Sequence, residues 1–272
     1  MPYSPMELAE AFLKTGELDD ALEAINQQLE DNPADDEARR LRIQIQMRLL
    51  PPAQYSNLHD DFDALAKKTV DDWQLKSVIA ERAGDLNAAI AAIHEARKLS
   101  PENERLSERL LDLLLASESY DDALTLVRAQ EQSWRWLERE GDVLVLQGND
   151  MLATARYGLV LSHLSDFEGK MQADYLQALK TRVMLARAHA YRRLGHTDTA
   201  KEHYLAAKEF FGEDVTIQFN LGLIAEMEGN HDEALKLCKD ALSKASQALK
   251  DNMAESLDAD AIFETLKLEL GL

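Results

Sequence analysis

The sequence predicts an all-α fold in which about seven helix-turn-helix units stack in a row. Helix-forming residues dominate a chain of 272 residues, and aromatic residues make up only 6% of it. Helix-breaking glycines recur at a fixed spacing, and small residues recur at fixed offsets from those glycines. Such periodicity is typical of repeats that bury their apolar faces against one another.

Most breaks between helices follow a period of 34 residues, but the break at Gly148 follows the one near residue 118 by only 30, so the fifth unit is short. The turn glycines are Gly16, Gly84, Gly148, Gly195 and Gly229. The first two lie two periods apart, and the last two lie one period apart. Two further breaks are due near residues 50 and 118, where Leu50-Pro51-Pro52 and SESYDD (117–122) stand. Glycine is favoured at these points because the turn needs backbone angles that other residues avoid.

Small and bulky residues keep constant distances from these breaks. Five residues after the breaks stand Ala21, Ala89, Ala123, Ala153, Ala200 and Ala234. Seven residues before most of them stand Ala9, Ser77, Gly141, Ala188 and Gly222. Nine residues after them stand Ile25, Ile93, Val127, Tyr157, Tyr204 and Cys238. Small residues let two antiparallel helices approach closely, and the bulkier ones fill the space behind them.

This pattern resembles the tetratricopeptide repeat family over roughly residues 3–248. The predicted units are 3–34, 35–69, 70–103, 104–133, 134–164, 166–213 and 215–249. The second is degenerate, because its second helix, predicted over Tyr55–Lys68, lacks the small residue. Arg187 stands where the family usually places a packing leucine. The resemblance implies one solenoid domain over 1–272, a right-handed superhelix whose first helices line a concave groove.

The sixth unit is 13 residues longer than the period. The additional residues lie in SDFEGKMQADYLQALK (165–180), where the spacing of Ser165 and Glu168 predicts a capping box. We therefore expect a single extended helix from about residue 166 to residue 194.

A final helix is predicted over 256–271, after the polar linker KDNMAES (250–256). Its apolar residues are Leu257, Ala261, Ile262, Leu266 and Leu270. We expect it to cap the seventh unit, since terminal repeats need a cover. The alternative is that it docks into the groove of this molecule or of a second copy.

The formal net charge of −20 disfavours two classes of partner, nucleic acids and membrane surfaces. No apolar stretch is long enough to cross a bilayer. The first residues, MPYSPMELAEAF, lack the basic segment and following apolar run of a signal peptide, so we expect none here. The one cysteine, Cys238, rules out an intrachain disulfide and predicts a reducing, cytoplasmic location. Its packing position predicts a small buried apolar side chain.

The sequence shows no motif for catalysis or for a cofactor. It has no phosphate-binding glycine loop with a following Lys-Ser/Thr, no HExxH and no GxSxG. His189, His196 and His203 are seven residues apart, but a turn separates the first from the last. We therefore expect no metal site, no cofactor and no enzymatic activity.

The groove of the sixth and seventh units is the candidate site for a peptide. Counting back from each break predicts that it is lined by Arg182, Leu185, His189, Arg192, Arg193, Phe219, Leu223 and Met227. Arginine suits bidentate contacts with carboxylates, so an acidic peptide with apolar residues fits this set. The alternative is that the arginines form ordinary ion pairs with Glu138 and Asp142.

These observations predict a non-enzymatic adaptor or scaffold that binds a peptide segment of a partner protein. One alternative is a structural protein that self-assembles into homo-oligomers through its C-terminal helix or its extended sixth unit. Another is a sensor of short peptides or anions.

Overall fold

The computed structural model describes residues 3–51, 54, 55 and 58–272, and every regular element within them is helical. The predicted all-α fold is therefore confirmed. In chain order the α-helices of this part of the chain are α1 (Pro5–Thr15), α2 (Leu18–Asp31), α3 (Asp36–Leu49), α4 (His59–Asp63), α5 (Val70–Arg82), α6 (Leu86–Leu99), α7 (Glu104–Ala116), α8 (Tyr120–Arg128), α9 (Trp134–Leu146), α10 (Asp150–Ser165), α11 (Ala173–Arg193), α12 (Thr197–Phe211), α13 (Val215–Met227), α14 (His231–Lys244), α15 (Gln247–Asp258) and α16 (Glu264–Leu270). A 3₁₀ turn, Ala261–Phe263, lies between α15 and α16.

The predicted turns close the helix pairs. All five turn glycines adopt a left-handed backbone, with φ between 74° and 86°. In SESYDD, the residue at the expected position, Glu118, takes the same conformation with φ 56°. A non-glycine residue rarely does so, and this supports the 34-residue period where no glycine marks it. The break near residue 50 falls at the end of α3, while Pro52 lies outside the described residues.

The small residues lie where paired helices touch. The six alanines that follow the breaks are fully buried. At Gly141 and Gly222 the partner helix comes so close that an added Cβ would lie 2.6 Å from Tyr157 Cε1 and 2.6 Å from Cys238 Sγ, respectively. The predicted close approach is therefore confirmed at these pairs.

The chain divides into two compact units, Met1–Ala123 and Leu124–Leu272. In the first unit, α1 pairs with α2 and α5 pairs with α6. One of its cores forms around Ile25 and Ile45, and another forms around Ile43 and Phe62. In the second unit, the helix pairs are α9 with α10, α11 with α12, and α13 with α14.

The second helix of the degenerate unit is much shorter than predicted. The prediction was Tyr55–Lys68, but α4 spans only His59–Asp63. The Asp36 carboxylate accepts hydrogen bonds from the backbone N–H groups of Ala66 and Lys67, at 3.0 and 3.2 Å. These bonds hold the chain in a loop where the helix was expected. Ser56 and Asn57, also within the predicted range, lie outside the described residues.

The extended helix of the sixth unit begins later than predicted. α10 continues through Ser165, and α11 begins only at Ala173. The capping box does not form, because the Ser165 hydroxyl donates to Leu161 O within α10. Gly169 adopts φ 74° in the loop between the two helices. α11 nevertheless has 21 residues, against 13 in α9 and α13.

The C-terminal region is also divided differently from the prediction. The predicted linker 250–256 is helical, within α15, and the predicted helix 256–271 is interrupted by the 3₁₀ turn. The Asp260 side chain accepts a hydrogen bond from Ile262 N at the start of that turn. Leu257 and Leu266 are buried as expected, whereas Ile262 is exposed. Among the described helices, none has both the length and the apolar character needed to cross a bilayer.

Candidate functional site

One face of α11 carries several of the predicted site residues. Helix geometry places residues three, four or seven apart on the same face. Arg182, Leu185, His189 and Arg193 follow this spacing, and the face extends back to Tyr175. Two cavities of the second unit lie along this face. We call them the aromatic pocket, at its N-terminal end, and the arginine cavity, at its C-terminal end.

The arginine cavity has a volume of about 560 Å³. On one side it is lined by Asp150, His189, Arg192, Arg193 and Met227. On the other side it is lined by Asn252, Glu255, Ser256, Ala259, Asp260 and Phe263, which belong to the C-terminal region. The structure thus brings together four of the predicted site residues around one cavity.

Arg192 is buried, with 5% of its surface exposed, so the expectation that it is open to the groove is wrong. Its guanidinium lies next to Tyr204 of α12, and burial lowers the pKa of Arg192. Within the described residues, its Nε atom is buried without a hydrogen-bond partner. Arg192 and Arg193 line the cavity together, and two adjacent guanidinium groups favour an anionic ligand there.

Arg193 is half-exposed and is held by the end of the neighbouring helix pair. Its Nε lies 3.0 Å from Asp150 Oδ2, and its Nη1 donates to Val145 O at 3.4 Å. Burial raises the pKa of Asp150, whose other oxygen, Oδ1, has no partner among the described residues. Among the described residues, Arg192 therefore has one buried donor without a hydrogen-bond partner, and the carboxylate that pairs with Arg193 has one oxygen without a partner.

His189 carries no positive charge at neutral pH. Burial, together with the charges of Arg192 and Arg193, lowers the pKa of His189 to about 4. The imidazole is therefore a neutral hydrogen-bonding group next to the two arginines. The rings of His196 and His203 both lie near that of Tyr191, with centroids 6.0 and 5.8 Å from it. Within the described residues, no group of three His, Cys, Asp or Glu side chains could hold a metal ion.

Arg182 forms the ion pair that the alternative interpretation predicts. Its Nη2 and Nε lie 2.7 and 3.0 Å from the two carboxylate oxygens of Glu138 on α9. Burial raises the pKa of Glu138 despite this contact. Asp142, in contrast, accepts a hydrogen bond from the Tyr157 hydroxyl at 2.8 Å and lies 3.6 Å from Arg139.

The aromatic pocket was not predicted from the sequence. It has a volume of about 640 Å³ and is lined by Tyr175, Ala178, Leu179, Arg182, Leu185, Phe211 and Asp214. Tyr175 and Phe211 are about half-exposed, at 52% and 47%. The signal was present in the sequence, because Tyr175 precedes Arg182 by seven residues, which places both on one helix face.

Phe219 and Leu223 are not exposed in a groove. Their exposed fractions are 2% and 0%, so this expectation is wrong. The physical reason is that they share one buried cluster with residues of α14 and of the C-terminal region: Ala234, Cys238, Ala241, Met253, Leu257, Phe263 and Leu266. Met227 is only partly buried and lines the arginine cavity. Cys238 is fully buried as predicted, and burial raises the pKa of its thiol to about 12.

Arg187 occupies its unusual position without crowding the helix pair. Its Nε donates to Thr154 O at 3.1 Å, and its guanidinium lies 5.2 Å from the centre of the Tyr191 ring. The space that it fills exists because residue 158 is glycine, where an added Cβ would lie 3.1 Å from Nη2. The arginine and the glycine thus replace the usual packing leucine.

Solved structures that are similar to this chain include tetratricopeptide repeat proteins and MamA. The C-terminal part of a tetratricopeptide repeat-containing protein from Cytophaga hutchinsonii matches with a TM-score of 0.60, at 14% identity over 89% of this chain and 97% of that one. A tetratricopeptide repeat protein from Parabacteroides merdae matches with a TM-score of 0.52, at 16% identity over 97% of each chain. MamA from Desulfovibrio magneticus, from residue 41 to its end, has a TM-score of 0.52 at 15% identity, over 66% of this chain and 99% of that one. At such low identities the likeness shows the fold alone.

The family assignment comes from a sequence model. No curated protein matches the chain. The model of the tetratricopeptide repeat matches residues 6–49, 77–133 and 185–260. Because these residues make up more than half of the sequence, the chain belongs to the tetratricopeptide repeat family.

Proposed function

We propose that the chain is a non-enzymatic scaffold that binds a peptide segment of a partner protein along the α11 face. The tetratricopeptide repeat fold is that of a protein-protein interaction scaffold. The observation that carries the finer proposal is the pair of adjacent arginines, Arg192 and Arg193, which line one open cavity together. A partner carboxylate in the arginine cavity accepts hydrogen bonds from such guanidinium groups.

The two cavities define what such a peptide carries. The arginine cavity suits an Asp or Glu side chain or a C-terminal carboxylate. The aromatic pocket suits an aromatic or aliphatic side chain, since exposed Tyr175 and Phe211 line it. Arg182 and Arg193 are eleven residues apart on α11. With a helical rise of about 1.5 Å per residue the two arginines lie roughly 16 Å apart, a span that about five residues of an extended peptide or about eleven residues of a helix cover.

The location of the protein stays a prediction. The buried thiol of Cys238 agrees with a reducing compartment such as the cytoplasm.

Selection from a random peptide library on the full chain tests the proposal. We expect the selected peptides to carry an acidic residue about five positions from an aromatic or aliphatic one. Arg193→Gln should weaken the binding of such a peptide about tenfold, because a hydrogen bond to a charged group is lost. Titration calorimetry measures the affinity.

Lys239→Gln is the matched control for that experiment. Lys239 is exposed on α14 and lines neither cavity, and its substitution removes the same charge. Circular dichroism shows that both variants keep the helicity of the wild type. Equal peptide affinities for the two variants would contradict the proposed site.

A further inference from the structure

The C-terminal segment, residues 247–272, packs on α14 through α16 and on α13 through its 3₁₀ turn, and α13 carries residues that the repeat pattern assigns to ligand binding. It comprises α15, the 3₁₀ turn and α16. Met253, Leu257, Phe263 and Leu266 from this segment share one buried cluster with Phe219 and Leu223 of α13. These last two side chains occupy groove positions by their spacing from Gly229.

The chemistry of this segment matches that of the peptide that the site is expected to bind. It holds six acidic residues against two lysines, interleaved with apolar ones. Two of the acidic residues, Glu255 and Asp260, line the arginine cavity opposite Arg192 and Arg193. An acidic, apolar helix from within the chain therefore lies where an acidic, apolar partner is proposed to bind.

The fit of the segment against the arginine cavity is incomplete. It leaves a volume of about 560 Å³ that Arg192 and Arg193 line. The segment is joined to α14 through Ala245 and Ser246, both in extended conformations with ψ of 144° and 163°. Two apolar side chains of the segment, Ile262 and Leu268, point away from the buried cluster and are 46% and 72% exposed.

We propose that the C-terminal segment is an internal stand-in for the partner, and that an acidic amphipathic helix of the partner replaces it on α13 and over the arginine cavity. This inference rests on the proposed function of the α11 face. It adds that the partner presents an acidic amphipathic helix, and that the C-terminal segment regulates binding by competing with this helix for the site. A tethered segment acts at an effective concentration of about millimolar, so a free helix of similar chemistry binds only when the segment is released.

The test uses a fluorescent synthetic peptide of residues 246–272 and the full chain. Phe263→Asp together with Leu266→Asp places two charges in the buried cluster and should release the segment. We expect this double variant to bind the labelled peptide at least tenfold more tightly than the wild type. Fluorescence anisotropy measures the affinity. If the folded double variant binds the peptide no more tightly than the wild type, the proposal is wrong.

Two further variants keep the test decisive. Leu268→Asp adds a charge at an exposed position of α16 and should behave as the wild type. Glu255→Lys leaves the buried cluster intact and places a positive charge beside Arg192 and Arg193. It should tighten binding of the labelled peptide about threefold. Should the double variant fail to fold, an unchanged affinity in Glu255→Lys would overturn the proposal.

The two proposals fail in different ways. Library peptides whose binding depends on Arg193, combined with no gain for the released variant, would refute the stand-in role alone. Conversely, a released variant that binds the labelled peptide equally well with and without Arg193→Gln would refute the arginine site. In that outcome the partner helix is held by the apolar surface of α13.

Discussion

Replacing Tyr157 by alanine is expected to lower the free energy of unfolding of the second unit by about 3–5 kcal/mol. The side chain is 2% exposed, and its ring packs against Gly141 on the paired helix. Its hydroxyl also donates to Asp142 Oδ1 at 2.8 Å. The substitution therefore leaves a cavity and removes a hydrogen bond from a carboxylate whose pKa burial raises.

Tryptophan fluorescence during urea denaturation measures this effect. In a Trp73→Phe background, Trp134 and Trp136 report on α9, which pairs with the helix that carries Tyr157. Tyr175→Ala is the matched control, because Tyr175 is 52% exposed and its loss should cost about 0.5 kcal/mol or less. Equal losses for the two tyrosines would contradict the described packing.

The second large effect is expected at Gly222. In the middle of a helix, Gly→Ala ordinarily stabilises by about 1 kcal/mol. Here the new Cβ would lie 2.6 Å from Cys238 Sγ and 3.3 Å from the backbone oxygen of Ala234. We therefore expect Gly222→Ala to destabilise the chain by about 1–3 kcal/mol, because α13 and α14 must move apart. Urea denaturation followed by circular dichroism at 222 nm measures the change.

A double-variant cycle separates this clash from other causes. Cys238→Ala removes the sulfur atom that the new Cβ would meet. Gly222→Ala should therefore cost clearly less in the Cys238→Ala background than in the wild type. A Gly222→Ala variant that is as stable as the wild type, or more stable, would show that the helices are not in the described contact.

The helix pairs were predictable because their cause is local and periodic. A turn needs a residue that tolerates the left-handed backbone, and a close approach needs a small side chain. Both requirements repeat in each helix pair, at a spacing of 34 residues for most of them, so the alanines and glycines mark the pairs even where one copy departs from the pattern. Glu118 is an example. The residues around it keep the spacing of the repeat, and Glu118 adopts the left-handed backbone that glycine adopts at the other breaks.

The burial of the groove residues and the loop after α4 could not be predicted, because they depend on contacts between residues far apart in the sequence. Spacing places Phe219 and Leu223 in the groove, but it does not show that residues 247–272 fold back over them. Spacing likewise assigns Arg192 to the same set as Arg193, although only the second is half-exposed. The loop after α4 depends on the Asp36 carboxylate, which accepts hydrogen bonds from backbone groups some 30 residues later.

The most direct test of the central claim is site-specific photocrosslinking on the α11 face. A chain with p-benzoylphenylalanine in place of Leu185, which lines the aromatic pocket, is irradiated in a lysate of the source organism. A chain with the same group in place of Leu205, an exposed leucine of α12, serves as the control. We predict a discrete protein adduct from position 185 whose yield Arg193→Gln strongly reduces, and none from position 205. Identical adducts from both positions, unaffected by Arg193→Gln, would contradict a peptide site on this face.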